Sequence, residues 1–183
     1  LGDVYKRQDQ DGEIIMKKKI YFAGGCFWGT QAYFSLLRGV VNTQCGYSNG
    51  TAKNPTYEDV CRGNTGHAET VMIEYDDSMI KLDKLLTEFF KTINPTTKNR
   101  QGNDIGSQYR SGIYYVDDAD INTIQEFIEN KQREYSRPIV TEVLPLLCYY
   151  PAEEYHQNYL DKNPGGYCHV DLNLIQKDDK IRN

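Results

Sequence analysis

The sequence predicts an α+β fold in which helices pack on the face of a small mixed sheet. Strand-like and helix-like segments interleave along the chain, roughly βαβ followed by further βα units. The segment 81–93 carries a single clean apolar stripe, as a helix lying on a core does. No period repeats, which excludes a solenoid. With 183 residues the chain is long enough for one domain with a sizeable core.

The elements follow in order. Residues 1–15 are polar and lack periodicity, and Met16-Lys17-Lys18-Lys19 after them reads as a natural start. Asp3-Val4-Tyr5-Lys6-Arg7-Gln8 resembles a translated transposon end, so 1–15 is expected to be a non-native extension outside the fold. Ile20-Tyr21-Phe22-Ala23 is the first strand. Phe27 to Leu37 is a helix, ended by Gly39, and Val40 to Gly46 is a second strand. Gly46 to Thr70 is a long loop marked by Asn49-Gly50, Asn54-Pro55, Gly63 and Gly66, and irregular backbone of that length in a compact domain usually serves a function. Thr70 to Tyr75 is a strand, with Val71, Ile73 and Tyr75 alternating against Met72 and Glu74. Leu82, Leu85, Leu86, Phe89, Phe90 and Ile93 form the stripe of the helix Lys81 to Ile93, which Asn94-Pro95 stops. Thr96 to Ser111 is a second long loop. Gly112 to Val116 is a strand, Ile121 to Tyr135 a helix capped by Asp118 or Asp120, and Pro138 to Leu144 a strand. Pro151 opens a short helix, Ala152 to Leu160, and Pro164-Gly165-Gly166 begins a glycine-rich, mobile tail. Both long loops are expected at one edge of the sheet.

The formal net charge of −5 comes without a basic cluster, which argues against nucleic acid or anionic membrane as a main partner. No apolar run approaches the ~20 residues that span a bilayer, and no signal peptide is visible, so the cytoplasm is the expected compartment. The five cysteines, Cys26, Cys45, Cys61, Cys148 and Cys168, include no C-x-x-C pair. A secreted disulfide framework is not expected at such spacings.

Cys26 stands in Gly24-Gly25-Cys26-Phe27-Trp28-Gly29, between a strand and a helix. A thiol at a helix N-terminus is expected to have a lowered pKa; a buried, inert cysteine beside core aromatics fits the fragment equally well. As a nucleophile, Cys26 would need a base for acyl transfer. His67, His156 and His169 are the only histidines, and none sits in a recognisable hydrolase motif. A zinc set of Cys148, His156, Cys168 and His169 matches no finger or ribbon spacing. A redox pair of Cys26 with Cys168 from the tail fits better. Glu69 stands at a loop–strand junction, suited either to a pocket acid or to a solvated edge. Tyr57 and Tyr109 lie in the long loops as neutral donors or as anchors.

Taken together, these stretches resemble the peptide methionine sulfoxide reductase A family. Gly25-Cys26-Phe27-Trp28-Gly29 is similar to its signature. Further blocks are Asn54 to Cys61, Thr65-Gly66-His67-Ala68-Glu69, Gln108-Tyr109-Arg110-Ser111, Ala152 to Gln157 and Gly166-Tyr167-Cys168, all in the family's order. The resemblance runs from about Lys18 to Leu172. It implies a two-layer α+β sandwich of ferredoxin-like type, with a mixed sheet, helices on one face, long active-site loops and an irregular C-terminal tail. The domain would span 16–172, followed by a tail at 173–183.

The resemblance also implies reduction of methionine-S-sulfoxide, free or in proteins and peptides. Cys26 would be the nucleophile, Glu69 the proton donor and Cys168 the resolving thiol. Tyr57 and Tyr109 would bond the sulfoxide oxygen, Phe27 and Trp28 would hold the methyl group, and Asp104 would support the pocket. No metal or organic cofactor is implied, thioredoxin would be the reductant, and a monomer is expected. Cys45 and Cys148 are alternative resolving thiols, with burial the simpler expectation. Asn49 and Arg62 depart from the common pattern without touching a proposed group. The segment Gly166 to Leu172 resembles the junction of proteins fused to an R-epimer reductase. Two other classes remain as competitors: a Cys–His acyl hydrolase or transferase, and a non-catalytic peptide-binding module.

Overall fold

A computed structural model describes residues 5–8 and 14–181. Its strands are β1 (Tyr5–Gln8), β2 (Ile14–Ala23), β3 (Val40–Ser48), β4 (Ala68–Asp76), the short β5 (Arg100–Gln101) and β6 (Asp104–Ile105), β7 (Gly112–Tyr115), β8 (Glu142–Pro145) and β9 (Tyr149–Pro151). Its α-helices are α1 (Phe27–Ser35), α2 (Tyr57–Cys61), α3 (Leu82–Thr92), α4 (Ile121–Gln132) and α5 (Tyr159–Lys162).

The main sheet runs β8-β7-β2-β4-β3-β9, with β1 hairpinned onto β2, while β5 and β6 pair separately. Following β2-α1-β3-β4-α3-β7 along the chain gives the inner order β7-β2-β4-β3. That is the ferredoxin-like split βαβ arrangement. The inner pairs are antiparallel, whereas β8 lies parallel to β7, so the sheet is mixed as expected.

Side-chain alternation builds the two faces. Phe22 stands opposite Val71 and Ile113, and all three enter the main core under the helices. Tyr21, one residue earlier, stands opposite Met72 and Tyr114 on the other face. Helix α3 buries the predicted stripe except Ile93, its half-buried C-cap, and Phe89 stacks on Phe22 with ring centroids 4.4 Å apart. Phe90 meets Phe127 of α4 edge-on at 5.0 Å. Each such apolar side chain contributes roughly 1.5–3 kcal/mol on full burial.

The ladders also place the site. Ala23 is paired with Gly112, and Ser48 with Ala68, so the ends of four strands meet at one edge of the sheet. From that edge spring the Cys26 turn after β2, the long loop after β3, the start of β4 and the loop before β7. The two long loops therefore lie where they were expected.

Several elements differ from expectation. β2 begins at Ile14, six residues before Ile20, because it pairs with β1 and β4 along its length. The first loop contains α2, opened by a reciprocal cap between Thr56 and Asp59. The expected strand at Pro138 to Leu144 is replaced by β8, four residues that start at Glu142. Pro151 ends an edge strand instead of opening a helix. The expected helix Ala152 to Leu160 is a 3₁₀ turn at Glu154–His156 and then α5, separated by the left-handed Asn158.

Residues 164–181 are irregular but docked. Val170 and Ile175 are buried in the main core, Lys180 bridges to Leu37, and Asp179 pairs with Lys84 of α3 at 2.9 Å. The expectation of a mobile tail is thus corrected, since burial of Val170 and Ile175 holds it down. Among the described residues no helix is long and apolar enough to cross a membrane.

Candidate active site

Cys26 is the N-cap residue of α1, with non-helical backbone angles of φ −55° and ψ 122°. Gly25 before it takes φ +85°, a conformation that side chains disfavour, and this turns the chain from β2 into the helix. The backbone N–H groups of Trp28 and Gly29 point at the Cys26 sulfur and favour thiolate. Burial works the other way and is larger, and the charges of Glu69 and Asp104 add to it. The net effect raises the Cys26 pKa. The expectation of a lowered pKa is therefore corrected: the helix terminus is present, but burial of Cys26, 8 % exposed as a residue, and the two carboxyls outweigh it.

Glu69 lies on β4 opposite Tyr47 of β3, in phase with Val71 and Ile73 on the helix-facing side. It is 3 % exposed, and its Oε2 has no hydrogen-bond partner among the described protein groups. Burial, and then the nearby Asp104 charge, push its pKa well above the ordinary 4.5. A solvated edge glutamate is excluded. Glu69 is a carboxyl that holds its proton well past the ordinary carboxylate range.

Tyr57 is the first residue of α2, and Tyr109 ends the 3₁₀ turn before β7. Both phenols are held neutral, first by burial. At Tyr57 the Cys61 thiol, which its hydroxyl bonds, comes next and then Glu69; at Tyr109 Glu69 comes next, followed by Asp104, Cys61 and Cys26. Each has a brace. Glu153 accepts from the Tyr57 backbone N–H at 3.1 Å and from the Tyr47 hydroxyl at 2.9 Å. Arg110, next to Tyr109, donates to Gly66 O and Ser107 O, both at 2.9 Å, and pairs with Glu142. It thereby ties the Tyr109 loop to the loop that delivers Glu69. Asp104, on β6, has a buried and unpartnered Oδ2, and the Tyr167 hydroxyl lies beside it.

The two aromatics after Cys26 differ. Phe27 is 1 % exposed and packs against Tyr47 and His156, with centroids 5.7 and 5.1 Å away. It forms the floor of this region. Trp28 is half-buried, stacks flat on Tyr159 at 3.7 Å and donates its Nε1–H to His156 Nδ1 at 3.0 Å. His156 is completely buried, also touches the Tyr57 ring at 4.4 Å, and is kept neutral by burial. It ties Phe27, Trp28 and Tyr57 together, a role that its sequence neighbourhood did not reveal. Tyr159 and Glu153 were missed in the same way.

Cys168 lies against the first turn of α1. A Cβ placed on Gly29 would stand 3.1 Å from the Cys168 sulfur, so glycine is needed there for the close approach. All five cysteines are free thiols. Cys45 is fully buried, donates to Gln31 Oε1 at 3.1 Å, and has its pKa raised first by burial. Cys148 is half-buried and donates to Gly50 O at 3.5 Å. His67 is spent on structure: Gly50 N–H donates to its Nδ1 at 3.0 Å, and its Nε2 bonds Ala52 O at 2.6 Å. Among the described residues no group of three or more His, Cys, Asp or Glu side chains is arranged to hold a metal ion.

A buried thiol at a helix head, a buried carboxyl with a raised pKa, two phenols and a second thiol are thus carried by one α+β scaffold. A family model described as peptide methionine sulfoxide reductase matches residues 18–182. The peptide methionine sulfoxide reductase MsrA of Clostridium acetobutylicum is 58 % identical over 160 residues, covering 87 % of this chain and 99 % of that protein. Mxr1 from Saccharomyces cerevisiae in reduced form superposes with TM-score 0.81 at 38 % identity, covering 91 % of this chain and 96 % of that one. Mxr1 in complex with Trx2 matches at 25 % identity and TM-score 0.57, covering 87 % and 92 %. The chain belongs to the peptide methionine sulfoxide reductase family.

Proposed function

We propose that this chain reduces methionine-S-sulfoxide, free or in oxidised proteins and peptides, to methionine by thiol chemistry at Cys26. The observation that carries the reading is the buried Glu69 carboxyl beside the Cys26 thiol, its Oε2 unpartnered and its pKa raised by burial. A sulfoxide sulfur is electrophilic, but its oxygen leaves only if protonated. Glu69 gives its proton to that oxygen while the Cys26 sulfur attacks, the proton that the Cys26 thiol sheds returns to the Glu69 carboxylate, and the methionine S–O bond breaks as the oxygen passes to Cys26. Tyr57 and Tyr109, held neutral, donate to the oxygen as charge builds on it, and fixed donors of this kind are the most effective stabilisers of a polar transition state. Asp104 supports the pocket by adding to the burial that keeps Glu69 protonated. The methyl group sits on the aromatic wall of Trp28, with Phe27 beneath.

The products of the first step are methionine and a Cys26 sulfenic acid. The sulfoxide oxygen, now on Cys26, leaves as water when the Cys168 thiol condenses with the sulfenic acid to a disulfide. A dithiol reductant such as thioredoxin then reopens the Cys26–Cys168 bond by exchange. The capture of yeast Mxr1 with Trx2 supports thioredoxin as the partner. No cofactor enters this cycle. Repair of oxidised proteins in the cytoplasm, by a monomer, is the corresponding role.

Cys26→Ser tests the reading. Its dithiothreitol-supported turnover of an S-sulfoxide peptide is expected to vanish, and undiminished turnover overturns the reading. An acyl adduct on Cys26 after exposure to an activated ester, without sulfoxide reduction, would favour a hydrolase instead.

A further inference from the structure

His169 belongs to none of the roles assigned so far, yet it reaches across the Cys26 turn. Its Nε2 lies 2.9 Å from Gly24 O. A carbonyl oxygen only accepts, so Nε2 carries the hydrogen and Nδ1 is the bare nitrogen. That Nδ1 is buried and has no hydrogen-bond partner among the described protein groups. An orphaned buried acceptor costs stability.

The direction of Nδ1 is set by the same glycine that admits the second thiol. A Cβ on Gly29 would meet Cys168 Sγ at 3.1 Å and His169 Nδ1 at 3.3 Å. The bare nitrogen and the Cys168 sulfur thus crowd one point on the first turn of α1, three residues past Cys26. In the reduced protein the Cys168 thiol donates to Val170 O at 3.1 Å, so its proton is held by a weak base and His169 is left free.

We propose that His169 Nδ1 is the general base of the resolving step, taking the proton of the Cys168 thiol as that sulfur attacks Cys26. This rests on the reductase reading above. The step is balanced as follows. The Cys168 S–H bond breaks and its proton passes to Nδ1. The Cys168 sulfur forms a bond to the Cys26 sulfur, whose S–O bond breaks. The departing hydroxide takes the proton from Nδ1 and leaves as water. Histidine ends as it began, with the hydrogen on Nε2, and the only redox change is sulfenic acid plus thiol becoming disulfide. The groups facing His169 are the Gly24 carbonyl and the Asp104 carboxylate from β6, with Cys168 Sγ beside the same point on α1. Burial, the largest influence, keeps the ring neutral and so keeps Nδ1 available.

The experiment is a single turnover without external reductant, using one equivalent of an S-sulfoxide peptide. Methionine release reports the first step, and loss of alkylatable thiols reports the second, each measured across pH. His169→Asn retains a donor for Gly24 O but no ring nitrogen, and His169→Ala retains neither. Both are expected to release one equivalent of methionine at the unaltered rate. Both are expected to form the disulfide ~100-fold more slowly near neutral pH, with the deficit shrinking as pH rises and the thiol ionises unaided. Disulfide formation by His169→Asn within about threefold of the parent rate and with the parent pH profile would make His169 an anchor only and overturn the proposal. Loss of methionine release in both variants would overturn it too, by placing His169 in the first step or the fold. Absence of methionine release from the parent chain is a separate outcome, which sinks the reductase reading itself.

Discussion

Glu69 shows how a single position can carry a burden in stability for the sake of chemistry. Its folded pKa is raised above the ordinary 4.5, first by burial. Below that value the carboxyl is protonated in both folded and unfolded chains and has no effect on the balance. As pH rises past it, the unfolded chain ionises and the folded one does not, so stability falls until the folded pKa is passed. Glu69→Gln removes this loss. The variant is expected to unfold at a higher denaturant concentration than the parent near neutral pH and to match it near pH 4, as equilibrium denaturation would read. Under the proposed chemistry the same variant loses the first step by a factor of about 100 or more, because the amide has no acidic proton to give. The parent's first-step rate should fall as pH rises through the folded pKa of Glu69, and a flat profile would remove Glu69 as the acid.

This burial was legible in part. Glu69 is in phase with Val71, Ile73 and Tyr75, so the period of two in that strand already places its carboxyl on the core face. The sign at Cys26 was not legible. A helix terminus can be read from a strand–turn–helix pattern, but the opposing carboxyls arrive from β4 and β6, far away in sequence. His156 and His169 were hidden for the same reason: their partners are Trp28 and Gly24, more than a hundred residues away.

At the scale of elements, the head of α1 is where the tail and the site meet. Gly29 in a helix would ordinarily be improved by alanine, by roughly 1 kcal/mol. Here the added methyl meets Cys168 Sγ, Val170 Cγ2 and His169 Nδ1 at 3.1–3.3 Å. Gly29→Ala is therefore expected to cost about 1–3 kcal/mol as overpacking and to slow disulfide formation while sparing methionine release. A stabilised variant with normal thiol loss would show that the tail stands further off.

The helix α3 stripe was legible because six apolar residues in one phase outweigh every local alternative, and the structure buries five of them, Leu82, Leu85, Leu86, Phe89 and Phe90. The segment 138–162 was read less well. Its residues lie at a sheet edge and in short turns, where pairing with β3 and β7 decides the conformation and local propensity does not.

Over the whole molecule, the sheet brings four strand ends to one edge, and the tail closes over that edge before returning to α1 and α3. The interleaved pattern was enough to predict the layering. The docked tail was not foreseen, since Pro164-Gly165-Gly166 reads as flexible while its anchors, Val170 and Ile175, are single residues with no period. Ending the chain after residue 172 removes Ile175 and the Lys84–Asp179 pair. That truncation is expected to lower stability by about 2–4 kcal/mol, nearly all from the lost apolar burial, since an exposed ion pair contributes little. Thermal melting checks it, and an unchanged midpoint would show that residues 173–183 contribute nothing to the domain. Removing residues 1–15 is expected to leave turnover unaltered, since β1 pairs with the start of β2, at the far end of that strand from the Cys26 turn.

The most direct measurement is the intact mass and disulfide map of the reduced chain after one equivalent of a methionine-S-sulfoxide peptide, with no reductant present. A loss of two hydrogens, one equivalent of methionine peptide and a single linked pair, Cys26 with Cys168, are expected. An unchanged mass, or a linkage that bypasses Cys26, would contradict the account.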